Sequence, residues 1–413
     1  MKKIKIGVLT FHRCINYGAF MQCYSLINRL KQDFPQAYVE VIDYSQRRLQ
    51  FNYTTDRREY LFGTQDYPYT WRQKMTHFLL YLRNPKSLRE LERLKQAFEK
   101  NRSCLPLSEY QIISDGEEEL LKEIKGRYDI VIVGSDCVWE FLTYAFPNPY
   151  FLNRDLGAEK FSYAASSDRM YFPNITKEQV RYIDQAMSDM RYLGVRDCAT
   201  ENFLLSVNPD LNLRHNCDPT LFLDLERIPV KMGRLEEKLI NRGIDLTKPV
   251  IGIMGDDNIG NLVWDLFHGQ YQVVALYTRI KKCDCFLEGL TPFEWSRVFS
   301  FFSITFTRYF HGTILSLKNG VPTITLDPWK MEDETHKTKI KDLYDRLGLE
   351  GHYYVKRKFY SKREKQEIAK YTIKFMNKPD KRKIQKAIEK EAESYQDFYK
   401  ELKKVIEDGQ KDK

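Results

Sequence analysis

The stretch SITFTRYFHGTILSLKNGVPTITL, residues 303–326, contains the pattern strand, helix, strand. SITF (303–306) and PTITL (322–326) are short runs of apolar and β-branched residues, and the segment between them has helical spacing and ends at Gly320. Two strands joined by one helix form a βαβ unit, in which the strands lie parallel in one sheet. The stretch therefore predicts an α/β fold.

The same alternation occurs on both sides of a charged segment in the middle of the chain. Further strand-like runs, with helical segments between most of them, lie at 3–9, 38–44, 128–136, 160–166, 192–197, 250–254 and 272–277. We predict two doubly wound, Rossmann-like domains that face each other across a cleft, followed by a C-terminal helical tail.

Composition shifts give the expected limits of these domains. The segment near 225–249 is charged and contains Pro and Gly, which is typical of a linker. We expect an N-terminal domain at 1–224, with a helical insertion at about 45–105 that includes a helix near 70–100, then the linker 225–249, a C-terminal domain at 250–350 and a basic helical tail at 351–413.

Bulk properties exclude several classes of protein. The sequence contains no run of about 18 uninterrupted apolar residues, and its N-terminus is interpreted as a first strand and not as a signal peptide. The eight cysteines are scattered and match neither a disulfide framework nor a four-ligand zinc site. We therefore expect a cytoplasmic protein without a metal.

The net charge of +9 comes almost entirely from the tail, because residues 351–413 contain 19 Lys and Arg against 11 Asp and Glu. The protein as a whole is thus not expected to bind nucleic acid. An apolar stripe follows the tail at helical spacing, either as a packed helix or as a contact for a partner or for the inner membrane surface. Its residues are Ile384, Ile388, Ala392, Tyr395, Tyr399, Leu402 and Ile406.

His311 follows one predicted strand and precedes the next helix. Gly312 and Thr313 then belong to the first helical turn, whose free N–H groups and dipole attract anions. Arg308 adds a cation three residues earlier. The pattern favours a ligand-binding His311, and the alternative is a histidine satisfied within the core.

Polar residues follow other predicted strands at the same edge of their sheet. Arg196 could bind an anion or form an ion pair with its neighbours, and Asp136, after Ser135, could bind a sugar hydroxyl or cap a helix. Residues 16–18, Asn-Tyr-Gly, open the first helix and could also be a simple capped turn.

Taken together, several stretches resemble the polysaccharide pyruvyl transferase family, in the order in which that family carries them. The resemblance implies a glycosyltransferase-B-like (GT-B-like) fold and transfer of a pyruvyl group from phosphoenolpyruvate onto two hydroxyls of one sugar, which gives a cyclic ketal. The stretches are GVLTFHRCINYGAFMQCYSL (7–26), DIVIVGSDCVWE (129–140), FSYAASS (161–167), GVRDCATENFL (194–204), CDPTLFL (217–223) and FHGTILSLKNGVPTI (310–324).

The family's motif histidine matches His311, its motif arginine matches Arg196, and its GSD motif matches Ser135 and Asp136. Some members have an arginine two residues before the histidine, where this chain has Tyr309. The resemblance implies no metal and no cofactor beyond phosphoenolpyruvate as co-substrate.

Each candidate residue then has an expected role. His311 is the expected general acid and Asp136 the base or orienting group for the acceptor hydroxyl. The expected donor-binding residues are Arg196, Arg308, Gly312 and Thr313, and the expected acceptor-binding residues are Asn16, Tyr17, Gly18, Ser135 and Trp139. The acceptor sugar could be part of a lipid-linked oligosaccharide.

Two alternatives stay open at this point. A nucleotide-sugar glycosyltransferase would share the two-domain layout, and Trp329 with the acidic residues 332–334 keeps that option. A sugar-binding protein of a polysaccharide assembly system would bind the acceptor without releasing phosphate.

Overall fold

The computed structural model describes residues 3–140, 146–167, 175–328 and 337–411. These residues form two parallel β-sheets with helices packed around them, as the alternation of apolar strands and helices predicts. The first sheet belongs to the N-terminal half of the chain and the second to the C-terminal half.

The N-terminal sheet has seven strands in the order β3-β2-β1-β4-β5-β6-β7. Every pairing is parallel. The strands are β1 (Lys5–Leu9), β2 (Tyr38–Ser45), β3 (Leu107–Ile113), β4 (Ile130–Val133), β5 (Glu159–Ala165), β6 (Tyr192–Val195) and β7 (Leu213–His215).

Helices connect these strands and also form the insertion between β2 and β3. They are α1 (Tyr17–Asp33), α2 (Arg47–Asn52), α3 (Arg57–Phe62), α4 (Trp71–Arg83), α5 (Ser87–Arg102), α6 (Glu117–Ile124), α7 (Lys177–Ser188) and α8 (Cys198–Val207).

The C-terminal sheet has six parallel strands in the order β10-β9-β8-β11-β12-β13. Its strands are β8 (Val250–Met254), β9 (Gln272–Leu276), β10 (Cys285–Leu287), β11 (Ile304–Thr307), β12 (Thr323–Asp327) and β13 (Tyr353–Val355). Strand β13 lies beyond residue 350, where the sequence analysis ends this domain.

The helices of the C-terminal half continue into a three-helix tail. They are α9 (Met232–Asn241), α10 (Asp257–Phe267), α11 (Pro292–Val298), α12 (Phe310–Lys318) and α13 (Lys339–Leu347), followed in the tail by α14 (Lys362–Asn377), α15 (Lys381–Ala392) and α16 (Tyr395–Lys411).

Each sheet reverses its strand order once, between β1 and β4 in the first and between β8 and β11 in the second. In doubly wound sheets, ligands bind beyond the carboxyl ends of the strands at this point of reversal. Strand β4 (IVIV), at the reversal point of the first sheet, is continuously apolar and buried. The fold therefore directs attention to the loops that follow β1, β4, β8 and β11.

The insertion differs from the single helix expected near 70–100. The structure has two helices there, α4 and α5, and α4 is capped by Asn84 at its carboxyl end. Pro85 explains the break, because proline restricts the preceding residue to extended backbone and cannot continue a helical hydrogen-bond pattern.

Aromatic side chains join the two halves. The ring of Tyr17, in α1, stacks on Trp295, in α11, with centroids 5.0 Å apart, and the Tyr17 hydroxyl donates to the carbonyl of Leu290 at 2.9 Å. Phe293 contacts Phe20 in the same seam, at a centroid distance of 5.5 Å. The halves thus share part of one hydrophobic core.

The tail packs against the protein body. Ile384 and Ile388 of α15 and Tyr395, Leu402 and Ile406 of α16 are buried, and Phe398 of α16 contacts Phe161, Tyr163 and Tyr192 of the N-terminal sheet. The predicted apolar stripe is therefore a packing surface, and a lipid contact through these buried side chains is excluded.

Candidate active site

His311 lies at the beginning of α12 in the C-terminal half. The first backbone hydrogen bond of this helix runs from Thr313 N–H to Tyr309 C=O, at 3.0 Å, so the N–H groups of Phe310, His311 and Gly312 belong to the free first turn. The imidazole lies against Gly18 of α1, where a β-carbon would overlap Nδ1. The side chain is 14% exposed, which places it where the two halves meet.

Asp218 is the ionic partner of His311. It precedes the 3₁₀ turn Pro219–Phe222 of the N-terminal half, and its Oδ2 lies 3.3 Å from Nε2 of His311. Burial alone would raise the pKa of the Asp218 carboxyl, but His311, Arg196 and Thr220 together hold it well below its usual range. Asp218 is therefore a buried carboxylate within ion-pair distance of Nε2, a nitrogen that is itself buried and has no hydrogen-bond partner among the described residues.

Arg196 follows β6 and is only 1% exposed. Its Nη1 donates to Oδ2 of Asp218 at 2.9 Å. Two further carboxylates surround it, because Asp136 and Asp197 each have an oxygen 3.8 Å from the guanidinium. The ring of Phe310 lies 4.8 Å from the guanidinium carbon.

This geometry corrects the role expected for Arg196. A guanidinium enclosed among three aspartates has its charge already compensated and presents almost no surface to a donor. Of the two alternatives stated for this residue, the ion pair is the one found. Arg196 links Asp218, and through it His311, to Asp136, so it positions the charged groups of the site.

Asp136 follows β4 and has a φ of 79°. A residue other than glycine costs about 1–3 kcal/mol in this region of backbone space, and such residues cluster at functional sites. Its carboxylate is 14% exposed and accepts the N–H of Cys137 at 2.9 Å. The neighbouring Ser135 is buried, and its hydroxyl donates to Oε1 of Gln22 at 2.6 Å. This hydroxyl is therefore used inside the protein and is not directed towards an acceptor sugar.

Gly312 and Thr313 face the sheet and not the gap between the halves. A β-carbon at Gly312 would come within 2.8 Å of the Thr307 hydroxyl, so glycine lets α12 pack closely on its own sheet. Thr313 is buried, and its hydroxyl lies 2.9 Å from that of Thr325. The side chain expected to bind the donor is therefore a packing contact, and only the backbone of this turn is available to an anion.

Three residues expected to bind the acceptor also have structural partners. Asn16 caps α1 by accepting the N–H groups of Gly18 and Ala19, which is the alternative stated above. Tyr17 is buried in the seam between the halves. Trp139 is buried, and its indole N–H donates to the carbonyl of Tyr150 at 3.1 Å, so Trp139 does not contact a ligand.

Three cations of the C-terminal half lie on segments that follow its strands. Arg308, after β11, donates to Oδ2 of Asp256 at 3.0 Å and keeps 31% of its side chain exposed. Lys356 pairs with the same carboxylate. Lys339, from α13, brings its ammonium 3.6 Å from the sulfur of Cys137, beside Asp136.

A cavity of about 1120 Å³ lies between the α4–α5 turn and the loop after β9. Six of its lining side chains are basic: Arg83, Lys86, Arg89, Arg93, Arg279 and Lys281. Three are acidic: Glu90, Asp257 and Glu288. The four basic side chains of the insertion have no ion pair among the described residues. The cavity is therefore a site of excess positive charge shared by both halves.

Asp218 and Lys339 were not predicted as site residues. The sequence pointed to Asp218 only through the turn Asp-Pro-Thr at 218–220, because the strand that precedes it, β7, is not evident from the sequence. No sequence pattern pointed to Lys339, because it comes close to the site only where α13 packs near Cys137. Trp329 and Glu332, Asp333 and Glu334 lie outside the described residues. Within those residues, no group of three or more His, Cys, Asp or Glu side chains is arranged to hold a metal.

Comparison with known proteins identifies a family to which this chain is similar. A family model described as polysaccharide pyruvyl transferase matches residues 16–329. This range includes the first turn of α1, Asp136, Arg196, Asp218 and α12 with His311. A search of curated proteins gives no match.

Solved structures give the fold. UDP-GlcNAc 2-epimerase from Methanocaldococcus jannaschii has a TM-score of 0.51 at 10% identity and covers 92% of this chain and 94% of its own. A glycosyltransferase from Rickettsia africae ESF-5 has a TM-score of 0.51 at 10% identity, with 100% and 98% covered. The two-sheet architecture is thus that of GT-B enzymes, as predicted.

Proposed function

Because this chain belongs to the polysaccharide pyruvyl transferase family and is therefore a pyruvyltransferase, we propose that it uses phosphoenolpyruvate as donor. The acceptor is a sugar of a surface-polysaccharide precursor, which receives the pyruvyl group on two hydroxyls as a cyclic ketal. The observation that carries the proposal is the position of His311, between the first turn of α12 in one half and Gly18 and Asp218 in the other.

The reaction needs one acid and one base. A proton delivered to C3 of the donor turns its CH₂ group into a methyl group and makes C2 electrophilic. One sugar hydroxyl then adds to C2, and a second displaces phosphate, which leaves with its bonding electrons. Of the two hydroxyl protons, one goes to a base and the other leaves with phosphate.

His311 is the proposed acid. Nε2 is buried beside Asp218, so the proton given to the substrate leaves from Nδ1, the nitrogen beside Gly18. Asp136 is the proposed base, because its carboxylate is partly exposed and joins the same charged network through Arg196.

The donor carries a carboxylate and a phosphate, and both need positive partners. The free N–H groups of the first turn of α12 supply one such partner. Arg308, which keeps 31% of its side chain exposed, supplies further positive charge beside it, and Lys356 shares the Asp256 carboxylate with Arg308. In this proposal Arg308 keeps the donor role predicted for it, while Arg196 positions other charged groups.

The acceptor is proposed to carry phosphate, as a lipid-linked oligosaccharide does. The basic cavity beside the α4–α5 turn has four side chains with no ion pair in the described part of the chain. Phosphate groups would compensate that charge, while the sugar extends towards Asp136 and His311.

Incubation of the purified chain with phosphoenolpyruvate and candidate acceptors tests the proposal. The expected result is phosphate release together with a sugar product that gains one pyruvate ketal by mass spectrometry. His311→Gln should lower kcat on the order of 10²–10⁴-fold, as the loss of a general acid does.

His268→Gln is the matched control, because His268 is an exposed histidine at the end of α10, outside the site. It should turn over normally. Full activity of His311→Gln would remove the assignment of the acid. Release of a nucleotide from a nucleotide sugar, without any use of phosphoenolpyruvate, would favour the glycosyltransferase alternative.

A further inference from the structure

Helix α4 presents an apolar face to solvent. None of its 13 side chains, all within the described residues, is buried. Six large apolar side chains of α4 are strongly exposed, and five of them recur at helical spacing, from 40% exposure for Met75 to 75% for Trp71, while the sixth, Leu80 at 48%, lies outside this set. The five are Trp71, Met75, Phe78, Leu79 and Leu82. At 100° per residue they cover an arc of about 100°.

Two aromatic side chains outside the apolar arc, Tyr81 and His77, hold α4 on the protein. The guanidinium of Arg57, in α3, lies 4.9 Å from the ring centre of Tyr81. The ring of His77 lies 5.0 Å from that of Tyr60 and 4.5 Å from that of Tyr69. The exposed face is thus directed outwards by the packing of side chains outside the arc.

The charges of α4 are all positive. Arg72 and Arg83 lie on one side of the apolar arc and Lys74 on the other, and the helix contains no acidic residue. Beyond α4, Lys86 in the α4–α5 turn and Arg89 in the first turn of α5 have no ion pair among the described residues. An apolar arc bordered by cations is typical of a helix that lies in the interface of an anionic bilayer.

We propose that α4 docks this protein on an anionic membrane surface. Its apolar arc enters the boundary between headgroups and acyl chains, and the flanking cations contact lipid phosphates. Within the described ranges, no helix is long and apolar enough to cross a bilayer, so the contact is peripheral. It lies on the same insertion as the basic cavity.

Charge favours a bilayer over a second copy of the chain as the occupant of this face. A two-fold symmetric contact brings the same patch together from both copies. Arg72, Lys74 and Arg83 of one copy would then approach the same cations of the other, with no carboxylate on α4 to compensate them. Anionic lipid supplies the missing negative charge.

Vesicle flotation with the full-length protein tests the proposal. The protein should float with vesicles of phosphatidylcholine mixed with phosphatidylglycerol and much less with phosphatidylcholine alone, and high salt should weaken the binding. Leu79→Glu/Leu82→Glu should reduce the partition coefficient roughly ten-fold or more, because two charges enter the apolar arc. Arg72→Gln/Lys74→Gln/Arg83→Gln should remove most of the preference for anionic lipid.

Phe359→Glu is the matched control, because Phe359 is 80% exposed but lies outside the insertion. It should float like the unchanged protein, and circular dichroism should report an intact fold for every variant. The proposal is overturned if the unchanged protein does not float, if Leu79→Glu/Leu82→Glu floats equally well, or if that pair of changes only dissociates a dimer. The assay contains neither donor nor acceptor, so its failure leaves the proposed reaction untouched.

Discussion

Arg196 is the residue whose charge decides the local structure of the site. Its guanidinium is enclosed with Asp218, Asp136 and Asp197, while His311 shares the same oxygen of Asp218. The positive charge of the arginine stabilises the three carboxylates around it, because a buried ion without a partner lowers the stability of the folded state. The arginine therefore keeps the acid and the base of the proposed reaction in one network.

Arg196→Met should destabilise the fold. Methionine fills much of the volume but leaves the carboxylates without their counter-charge, so urea unfolding should show a loss of about 3–5 kcal/mol. Arg227→Met is the control, since Arg227 is an exposed partner of Asp224, and its loss should be below about 1 kcal/mol. Unchanged stability of Arg196→Met together with a raised KM for the donor would restore the donor-binding role.

At the scale of elements, the site forms where two helices begin. The first turn of α1 follows β1 and the first turn of α12 follows β11, and Gly18 of one contacts His311 of the other. The absence of a side chain at Gly18 makes room for the imidazole. Through this contact, the N-terminal half orients the imidazole ring of His311, which belongs to the C-terminal half.

Gly18→Ala should lower kcat while the protein stays folded. Alanine favours the helix, but its β-carbon would overlap Nδ1 and turn the ring away from its position. We expect a loss of roughly ten-fold or more, within the range that general acid catalysis supplies, measured as initial rate at saturating donor. Gly233→Ala, in α9, is the control because its β-carbon would meet no atom within 4 Å. An unchanged kcat for Gly18→Ala would mean that the ring has room to move.

The central strands were predictable from the sequence and the edge strands were not. Strands β1, β4, β8 and β11 lie inside their sheets, so nearly all their residues are buried and their sequences are rich in apolar and β-branched residues. The four edge strands β3, β7, β10 and β13 are partly exposed or only three residues long. Their pairing depends on the neighbouring strand more than on their own composition.

At the scale of the whole molecule, the tail ties the two halves together. Helix α14 packs near the C-terminal sheet, with Ile368 in that core, and α16 returns to the N-terminal sheet, where Phe398 is buried. The ring of Phe398 lies 4.8 Å from that of Tyr163. Together with the Tyr17–Trp295 stack, this crossing makes the halves one packed body.

Phe398→Ala should reduce the free energy of unfolding by about 3–5 kcal/mol, the usual cost of removing a buried aromatic ring. Urea unfolding followed by circular dichroism measures it. Phe359→Ala, with the same change at an exposed position, should have almost no effect. Equal stabilities for the two variants would mean that α16 contributes little to the fold, and its stripe would again be free for another partner.

The sequence by itself determined the alternation of strands and helices, the two parallel sheets and the position of His311 at the beginning of a helix. The alternation and the helix start follow from periodicity and from hydrogen bonds between residues close in the chain, and parallel pairing follows because helices connect most successive strands. Only the tertiary structure decided that Arg196 is enclosed by aspartates, that Gly18 faces His311 and that the tail stripe is buried. Such contacts join segments far apart in the chain, and which charges pair depends on how the two halves and the tail pack together.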